Sequence, residues 1–396
     1  MISWVEPRSE RIVSPDTSSS LLRRAAALAP ENATLRFDLG FILLERFRFA
    51  EAADAFEAVL AIDPSQQDAR LALARCWNRL GRHEHALTLL DHAGVTSSPR
   101  ALYLRGKAAL ALGQDDRAEY SFRAALDCDV HHRDACFELG RMLRRADRLD
   151  DLATLRIALW ERGARNVQLL LDWGLAIAHS GRIEDARNLL FTASKITQTT
   201  IETPDGFATL ADFNAALAEE LAENPQKMTD LPTDELAIRD SARVNHLMNG
   251  RRPDLIVALL AAIRSSVDLD VAERIRLSLD QGPDPWQDCR PARARLHAWA
   301  NIQGPGGYED WHAHRAGWLS GVYYVAIPED FTADGDGAGC IEFGAPPSLA
   351  AALPETLRIA PREGMLLLMP SHTYHRTIPF ASDGRRISFA FDVRPV

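Results

Sequence analysis

The sequence predicts an α+β multidomain protein in which an N-terminal α-solenoid precedes a C-terminal antiparallel β domain. Three observations predict it: the length of 396 residues, a repeat of about 34 residues in the first half, and short apolar runs after residue 291. The length exceeds that of a usual single domain. A content of 46% hydrophobic and 25% charged residues is typical of a folded chain.

Small residues recur at a near-constant spacing through the first half of the chain. They are Gly40, Ala74, Gly106, Gly140 and Gly174, which lie 34, 32, 34 and 34 positions apart. A second set follows twelve positions after each of them: Ala52, Ala86, Ala118, Leu152 and Ala186. Larger residues follow four positions later: Phe56, Leu90, Phe122, Arg156 and Leu190. Each unit therefore predicts two helices that pack closely, because small residues admit the large residue of the partner helix.

This pattern resembles tetratricopeptide repeats over residues 33–198, with residues 1–32 as an N-terminal extension. Glycines recur in the predicted turns (Gly81, Gly113 and Gly181), and Pro64 fits the terminal proline of the family. The fourth unit departs from the family because it carries Leu152 and Arg156. The resemblance implies a concave surface that holds a peptide or protein, with a purely architectural or dimer-forming role as an equal alternative.

Two further regions follow the repeats. Residues 199–290 keep a helical pattern but lose the 34-residue register, so we expect a helical connecting segment. Residues 291–396 contain short runs of strand-forming residues between Gly, Pro and Asp, which predicts an antiparallel sandwich or barrel. These runs are ARLHAWANI, WLSGVYYVAI, GCIEFG, TLRIA, GMLLLMP, TIPF and RRISFAFDV.

Composition excludes several classes of protein. A net charge of −10 argues against a nucleic-acid partner, since phosphate binding needs clustered Lys and Arg. Five scattered cysteines without a CxxC pair predict reduced thiols. The N-terminus lacks an apolar signal-peptide core, and no stretch approaches the ~20 apolar residues of a membrane span. We therefore expect a cytoplasmic protein.

Histidines are concentrated in the β region. His312 and His314 form an H-x-H pair whose spacing puts both imidazoles on one face of an extended segment. About sixty residues later, MPSHTYHRTIP supplies either His372 or His375. Imidazole suits a first-row metal, and three ligands on one face leave coordination positions open. The pattern therefore predicts a metal site of three histidines.

Residues 296–396 resemble the iron(II)- and 2-oxoglutarate-dependent dioxygenases. Five blocks in order carry the resemblance: WANIQGPGGYEDWHAH, WLSGVYYVAIP, CIEFG, GMLLLMPSHTYHRTIPF and RRISFAFDV. The resemblance implies a double-stranded β-helix, a jelly-roll or cupin-like barrel. It also implies Fe(II), 2-oxoglutarate as co-substrate and O2. It places the metal on His312, His314 and His375, favours His375 over His372, and indicates no catalytic group beyond the metal centre.

The same resemblance implies a site for the co-substrate. Arg386 and Ser388 form an R-x-S pair that would grip the distal carboxylate of 2-oxoglutarate, and Tyr324 occupies the place of a tyrosine that contributes to it. A guanidinium can bind a carboxylate through two parallel hydrogen bonds. Arg385 is the rival, because adjacent strand residues face opposite ways. Ser388 shares the face of Arg386, which favours Arg386.

One position departs from the better-known pattern. His314 stands where most of these enzymes have Asp or Glu, so three neutral imidazoles leave the site one negative charge short. Asp310 and Glu309 are near enough in sequence to substitute as ligands or to support the ligands, and Asn301 is a further candidate for a supporting role.

The hypothesis from sequence is a dioxygenase that hydroxylates a peptide or protein side chain held by the repeats. A hydroxylase of small metabolites, with repeats for assembly only, is the first alternative. A non-catalytic repeat scaffold with a degenerate barrel is the second, and the sequence leaves the oligomeric state open, a homo-oligomer included.

Overall fold

A computed structural model describes residues 2–5, 15–91, 98–229, 231, 236–281, 284–329 and 337–396. Part of the predicted N-terminal extension, residues 6–14, lies outside the described residues. The chain divides into two compact units. One comprises residues 12–164, and the other comprises residues 1–11 together with residues 165–396.

In the residues that the structure describes, the regular structure of the first unit is helical. Its helices are α1 (Pro15–Leu28), α2 (Ala33–Glu45), α3 (Phe49–Ile62), α4 (Gln67–Arg79), α5 (His83–Leu90), α6 (Pro99–Ala111), α7 (Asp115–Cys128), α8 (Arg133–Arg145) and α9 (Leu149–Glu161). Consecutive helices from α2 onward pack against each other. The predicted helical repeat is confirmed.

The periodic small residues are the points where paired helices touch. A Cβ added to Gly40 would lie 2.8 Å from the ring of Phe56, and one added to Gly106 would lie 2.5 Å from Phe122. Both distances are shorter than van der Waals contact, so only glycine lets these rings pack. The pairing of a small residue with a large residue sixteen positions later is the spacing predicted from sequence.

The fourth pair, α8 and α9, carries the two departures from the repeat pattern. Leu152 is buried in the place of the usual alanine. Arg156 stands where other pairs have Phe or Leu, and burial lowers the pKa of its guanidinium to about 10. Burial disfavours the charged form of the guanidinium, so this pair differs in chemistry from the pairs that carry Phe or Leu at the same position.

The second unit combines helices with strands. Its helices are α10 (Val167–His179), α11 (Ile183–Leu190), α12 (Leu210–Glu223), α13 (Pro253–Gln281) and α14 (Pro285–Asp288). Its strands are β1 (Ser3–Trp4), β2 (Thr197–Thr200), β3 (Lys227–Met228), β4 (Ile238–Val244), β5 (Arg293–Glu309), β6 (Leu319–Ala326), β7 (Ile341–Gly344), β8 (Leu357–Ile359), β9 (Met365–Pro370), β10 (Tyr374–Thr377) and β11 (Arg386–Pro395). No helix in the described part of the chain is both long enough and apolar enough to cross a lipid bilayer.

The strands form two sheets. The large sheet runs β2-β9-β6-β11-β5-β4-β3 in antiparallel order, and β1 pairs with β5 in parallel. The small sheet runs β10-β7-β8. The sheets pack on each other through a core that includes Tyr324 and Met365 of the large sheet and Phe343 and Ile359 of the small one. The chain thus has an antiparallel β domain at its C-terminus, while the double-stranded β-helix connectivity stays a prediction.

Three of these strands lie in or next to the segment expected to be a helical connector. The strands β2, β3 and β4 extend the large sheet at both ends. These strands lack the sequence pattern of a strand. The edge strand β2, TQTT, is polar. Strand β4 is interrupted by a bulge after Arg239, where Asp240 adopts a φ of 46°. A bulge breaks the two-residue alternation that identifies strands.

The last predicted repeat belongs to the β-containing unit. A Cβ on Gly174 would lie 2.4 Å from Leu190, so α10 and α11 keep the packing of the repeats. Leu171 and Leu175 of α10 share a core with Leu349 and Leu353 of the β domain. The compact unit that contains the β domain therefore begins, after its N-terminal residues, at residue 165 and includes α10, whose apolar residues share a core with the β domain.

Candidate metal centre

Backbone pairing brings the three predicted histidines together. His312 and His375 exchange main-chain hydrogen bonds of 3.0 and 2.9 Å, and the amide of His314 donates to the carbonyl of Ser371 at 2.8 Å. The ring centroids of His312 and His375 lie 4.3 Å apart, and that of His314 lies 5.2 Å from each. One ring nitrogen from each residue lies within 4.8 Å of the other two. Such a cluster is compact enough to surround one cation.

Each imidazole is oriented by an oxygen on its Nδ1 side. Nδ1 of His312 lies 2.7 Å from the carbonyl oxygen of Asp310, and Nδ1 of His375 lies 3.1 Å from that of Thr373. Nδ1 of His314 lies 2.5 Å from a carboxylate oxygen of Asp392. Because these acceptors require a proton on Nδ1, the lone pair of each ring is left on Nε2. The cluster therefore presents three Nε2 atoms whose lone pairs are free to bind a metal.

The surroundings keep two of the rings in the form that binds metals. Burial lowers the pKa of His312 and holds that of His375 well below its usual value, with the neighbouring imidazoles adding to the effect. Neutral imidazole is the ligand form, since a proton and a metal compete for the same lone pair. The donor set fits a first-row divalent metal.

Asp392 is a functional residue that the sequence reasoning missed. It is 2% exposed, and it accepts hydrogen bonds from His314, from the hydroxyl of Ser320 at 2.8 Å and from Arg394 at 3.1 Å. Burial alone would raise its pKa, but the hydrogen bonds from His314 and Ser320 and the guanidinium of Arg394 hold it well below the usual value. A buried carboxylate thus stands directly behind one of the candidate ligands. Its sequence signal was the strand alternation that continues from Arg386 and Ser388.

The predicted metal and co-substrate residues line a single pocket. Its walls contain all six of them: His312, His314, Tyr324, His375, Arg386 and Ser388. The pocket lies between the two sheets, with apolar contributions from Val322, Ile341 and Met369. The free space inside it is small, about 20 Å³, and so lies far below the volume of sites that enclose a whole small molecule, roughly 300–1,000 Å³.

Arg386 is positioned as an anion-binding group. It is 1% exposed, its Nε donates to Gln303 at 2.8 Å, and its Nη1 donates to the carbonyl of Gly339 at 2.6 Å. Its Nη2 and the hydroxyl of Tyr324 are buried and have no hydrogen-bond partner within the described residues. Buried donors of this kind are costly unless a ligand satisfies them. The residues fit a carboxylate, but through Nη2 and the tyrosine rather than through the double hydrogen bond expected from sequence.

The remaining predicted residues lie at the edge of this arrangement. The carboxylate of Asp310 is half exposed and pairs with Arg239 at 3.1 Å, so Asp310 supports His312 through its main-chain oxygen alone. Asn301 is buried and donates to Glu309 at 3.1 Å. Glu309 lines the pocket but is outside the group of close ligand atoms.

The geometry separates the two rival pairs left open by the sequence. His372 is buried with its Nε2 3.0 Å from the carbonyl of Leu189 in α11, away from the three clustered rings. Arg385 is exposed, whereas its neighbour Arg386 points between the sheets. Strand β4 adds a residue that no sequence signal indicated: the guanidinium of Arg243 lies 4.5 Å from the ring of Trp299, which lines the pocket.

Comparisons with known families agree with this division of the chain. Residues 297–392 match the family described as "Putative 2OG-Fe(II) oxygenase", and residues 43–110 match a tetratricopeptide-repeat family. Comparison with curated proteins returns no significant match.

Several solved structures resemble part of the chain. MamA from Desulfovibrio magneticus RS-1 is 22% identical with a TM-score of 0.35, covering 37% of this chain and 85% of its own. YrrB, described as a TPR protein with an unusual peptide-binding site, is 18% identical with a TM-score of 0.34, covering 43% and 90%. The pilus biogenesis factor PilW is 18% identical with a TM-score of 0.38, covering 44% and 82%. TM-scores below 0.5 indicate nothing about the function of this chain.

The two family matches fall on the two regions whose elements and site have been described. The first lies within the helical repeats, and the second spans β5 to β11 with the histidine cluster and Arg386. The chain therefore contains a tetratricopeptide-repeat region at residues 43–110 and, at residues 297–392, a domain that matches the family described as "Putative 2OG-Fe(II) oxygenase".

Proposed function

We propose that this protein is an Fe(II)- and 2-oxoglutarate-dependent dioxygenase that hydroxylates a C–H bond in a peptide or protein. One observation carries the proposal: a single pocket contains three convergent imidazoles and, beside them, a buried arginine nitrogen and a tyrosine hydroxyl without partners. The first group suits Fe(II), and the second suits a carboxylate of the co-substrate.

The residues of the chain would divide the work. His312, His314 and His375 would hold the iron and leave its other positions open. Arg386 and Tyr324 would bind and orient the distal carboxylate of 2-oxoglutarate. When bound, the iron with 2-oxoglutarate as reductant supplies the activation of O2.

The pocket walls would protect the reaction from water. Val322, Ile341 and Met369 supply apolar surface, and the whole site lies between packed sheets. Exclusion of water strengthens electrostatic contacts inside a site and suppresses side reactions. Since the pocket is narrow at its centre, binding of a five-carbon diacid requires its side chains to move apart.

The substrate class is proposed from the architecture of the repeats. A stack of helical hairpins forms an extended concave surface, and such surfaces commonly bind peptides or proteins. The first four helix pairs of the repeats, α2 to α9, lie in a separate compact unit of the chain, residues 12–164. A small-metabolite substrate would give that unit no role in recognition.

Binding of iron and co-substrate is tested by anaerobic addition of Fe(II) and 2-oxoglutarate. A weak visible charge-transfer band is expected for the wild type. In Arg386→Gln, 2-oxoglutarate should bind ~10- to 100-fold more weakly, since a hydrogen bond between charged groups contributes about 1.5–3 kcal/mol. Arg385→Gln is the matched control, because it removes the same charge from the exposed face. Absence of the band in the wild type would contradict the proposal and favour a non-catalytic scaffold.

The substrate class is tested by release of succinate. Succinate formation should rise on addition of a peptide pool but not on addition of amino acids or other small metabolites. The reverse result would support the metabolite alternative and restrict the repeats to assembly.

A further inference from the structure

We propose that Asp392 is a positioning residue that supplies the metal centre, through His314, with the negative charge that a carboxylate ligand would otherwise bring. This inference rests on the proposed metal site. It concerns a residue outside the ligand set, and it accounts for a chain that has histidine where a carboxylate is usual.

The three candidate ligands differ in what lies behind them. Nδ1 of His312 and Nδ1 of His375 face neutral main-chain carbonyls at 2.7 and 3.1 Å. Nδ1 of His314 faces a carboxylate oxygen at 2.5 Å. Hydrogen bonds to charged acceptors are shorter and about twice as strong as those between neutral groups. His314 is thus distinguished from the other two by its partner.

The carboxylate is held in place on every side. Ser320 donates to the same oxygen that faces His314, at 2.8 Å, and the hydroxyls of Ser320 and Ser371 lie 2.7 Å apart. The carbonyl of Ser371 accepts the main-chain amide of His314 at 2.8 Å. A closed circuit of hydrogen bonds therefore fixes both the backbone and the imidazole of His314 relative to Asp392.

Charge counting explains what this arrangement achieves. A divalent metal with two histidines and one carboxylate carries a net charge of +1, whereas three neutral histidines leave +2. Asp392 does not bind the metal, but its negative charge, placed behind His314, brings the total back to +1. An imidazole that donates a hydrogen bond to a carboxylate is also a more basic ligand. Arg394 offsets part of this charge at 3.1 Å, but it binds the other carboxylate oxygen, whereas the oxygen that faces His314 also accepts from Ser320.

The test is the affinity of the full-length protein for Co(II), an oxygen-stable substitute for Fe(II), in Asp392→Asn. This substitution removes the charge and keeps the shape, and loss of such a partner typically weakens metal binding about 10- to 100-fold. Glu342→Gln is the matched control. Glu342 is also 2% exposed, and its carboxylate is also held by arginines, Arg358 and Arg376, rather than by a histidine. Its removal should leave the affinity for Co(II) unchanged.

A double-mutant cycle separates the charge from a merely structural role. In a His314→Asp background the metal receives a carboxylate directly, and no imidazole remains for Asp392 to polarise. Asp392→Asn should then change Co(II) affinity by no more than about threefold, the scale of uncoupled sites. An equal loss in both backgrounds would show that Asp392 acts through the fold alone and would overturn the inference.

A measurement on the unaltered protein covers the case in which Asp392→Asn does not fold. The Nδ1 proton of His314 should resonate well downfield of those of His312 and His375, because its acceptor is a charged oxygen at a shorter distance. Equal proton shifts for the three residues would contradict the inference. If the wild type binds no Co(II), the proposed function fails with it; if the wild type binds and Asp392→Asn binds equally well, only the role of Asp392 is refuted.

Discussion

His372 and His375 lie three positions apart in the sequence but face different parts of the structure. His375 lies within strand β10, whose pairing with β7 directs it between the sheets. His372 precedes that strand in a turn and reaches the carbonyl of Leu189 at the end of α11. The position of each residue in the backbone therefore decides its role. His375 can bind a metal, whereas His372 forms a hydrogen bond with α11.

The attachment made by His372 predicts a dependence of stability on pH. Burial lowers the pKa of His372 to about 4 from an ordinary value of 6.5. Below pH 6.5 the unfolded chain takes up a proton at this residue and the folded chain does not, so the folded state loses stability as the pH falls toward 4. The total loss is about 3 kcal/mol, from ~1.4 kcal/mol for each unit of pKa difference.

The measurement is the free energy of unfolding in urea between pH 7.5 and 4.5 for wild type and for His372→Gln. Glutamine can still donate to Leu189 but cannot take up the proton. The wild type should therefore lose its advantage over the variant as the pH falls, while the other histidines cancel in the difference. Two parallel curves would show that His372 is not the group responsible.

At the scale of single elements, strand β11 determines most of the site. Its alternate residues Arg386, Ser388 and Asp392 share one face, so a single strand presents the group for the co-substrate carboxylate and the partner of a metal ligand. Pairing with β5 on one side and β6 on the other fixes its register. A shift of one residue would turn all three away from the pocket.

The turns between the repeat helices follow an equally local rule. Gly81 and Gly113 have φ of 74° and 70°, and Phe47 and Asp147 occupy the corresponding positions of other repeats with φ of 59° and 55°. A left-handed residue is therefore required in each turn, whatever its type. Glycine adopts this conformation without the steric cost that a Cβ imposes.

This rule predicts opposite effects of two substitutions. Gly113→Ala should lower the free energy of unfolding of the repeat unit by about 1 kcal/mol, and Asp147→Gly should raise it by up to about that amount. No atom lies within 4 Å of a Cβ placed on Gly113, so the effect isolates backbone strain from steric clash. Urea unfolding followed by circular dichroism measures both changes. A neutral result for Gly113→Ala would mean that the turn relaxes to another conformation.

On the scale of the whole molecule, the unit boundary predicts which fragment can fold. Fragment 165–396 contains α10 and α11, whereas fragment 191–396 lacks both helices but keeps β2. Loss of α10 exposes Leu349 and Leu353, and each large apolar side chain contributes about 1.5–3 kcal/mol when buried. We therefore expect cooperative unfolding and Co(II) binding for the longer fragment, and a marked loss of stability for the shorter one.

Differential scanning calorimetry and Co(II) titration of the two fragments decide this point. Both fragments lack β1, so that difference cancels. Equal stability would mean that α10 and α11 belong with the repeats, as the 34-residue register alone suggested.

The sequence by itself determined the features that depend on near neighbours in the chain. A 34-residue period specified the helical hairpins, because small and large residues sixteen positions apart must touch, as Gly40 and Phe56 do. Alternation and block order indicated the β domain and its histidines. The choice of Arg386 over Arg385 was also within reach, since only one of two adjacent strand residues can face the pocket.

Only the tertiary structure decided the features that depend on distant segments. The contact of Asp392 with His314 spans 78 positions, and that of His372 with Leu189 spans 183. Strands β2 and β4 are recognisable from the partners that they pair with, since their own residues are polar or bulged. Periodicity reports the face that one element buries, but which groups meet across two sheets follows from register and packing, and no local pattern encodes these.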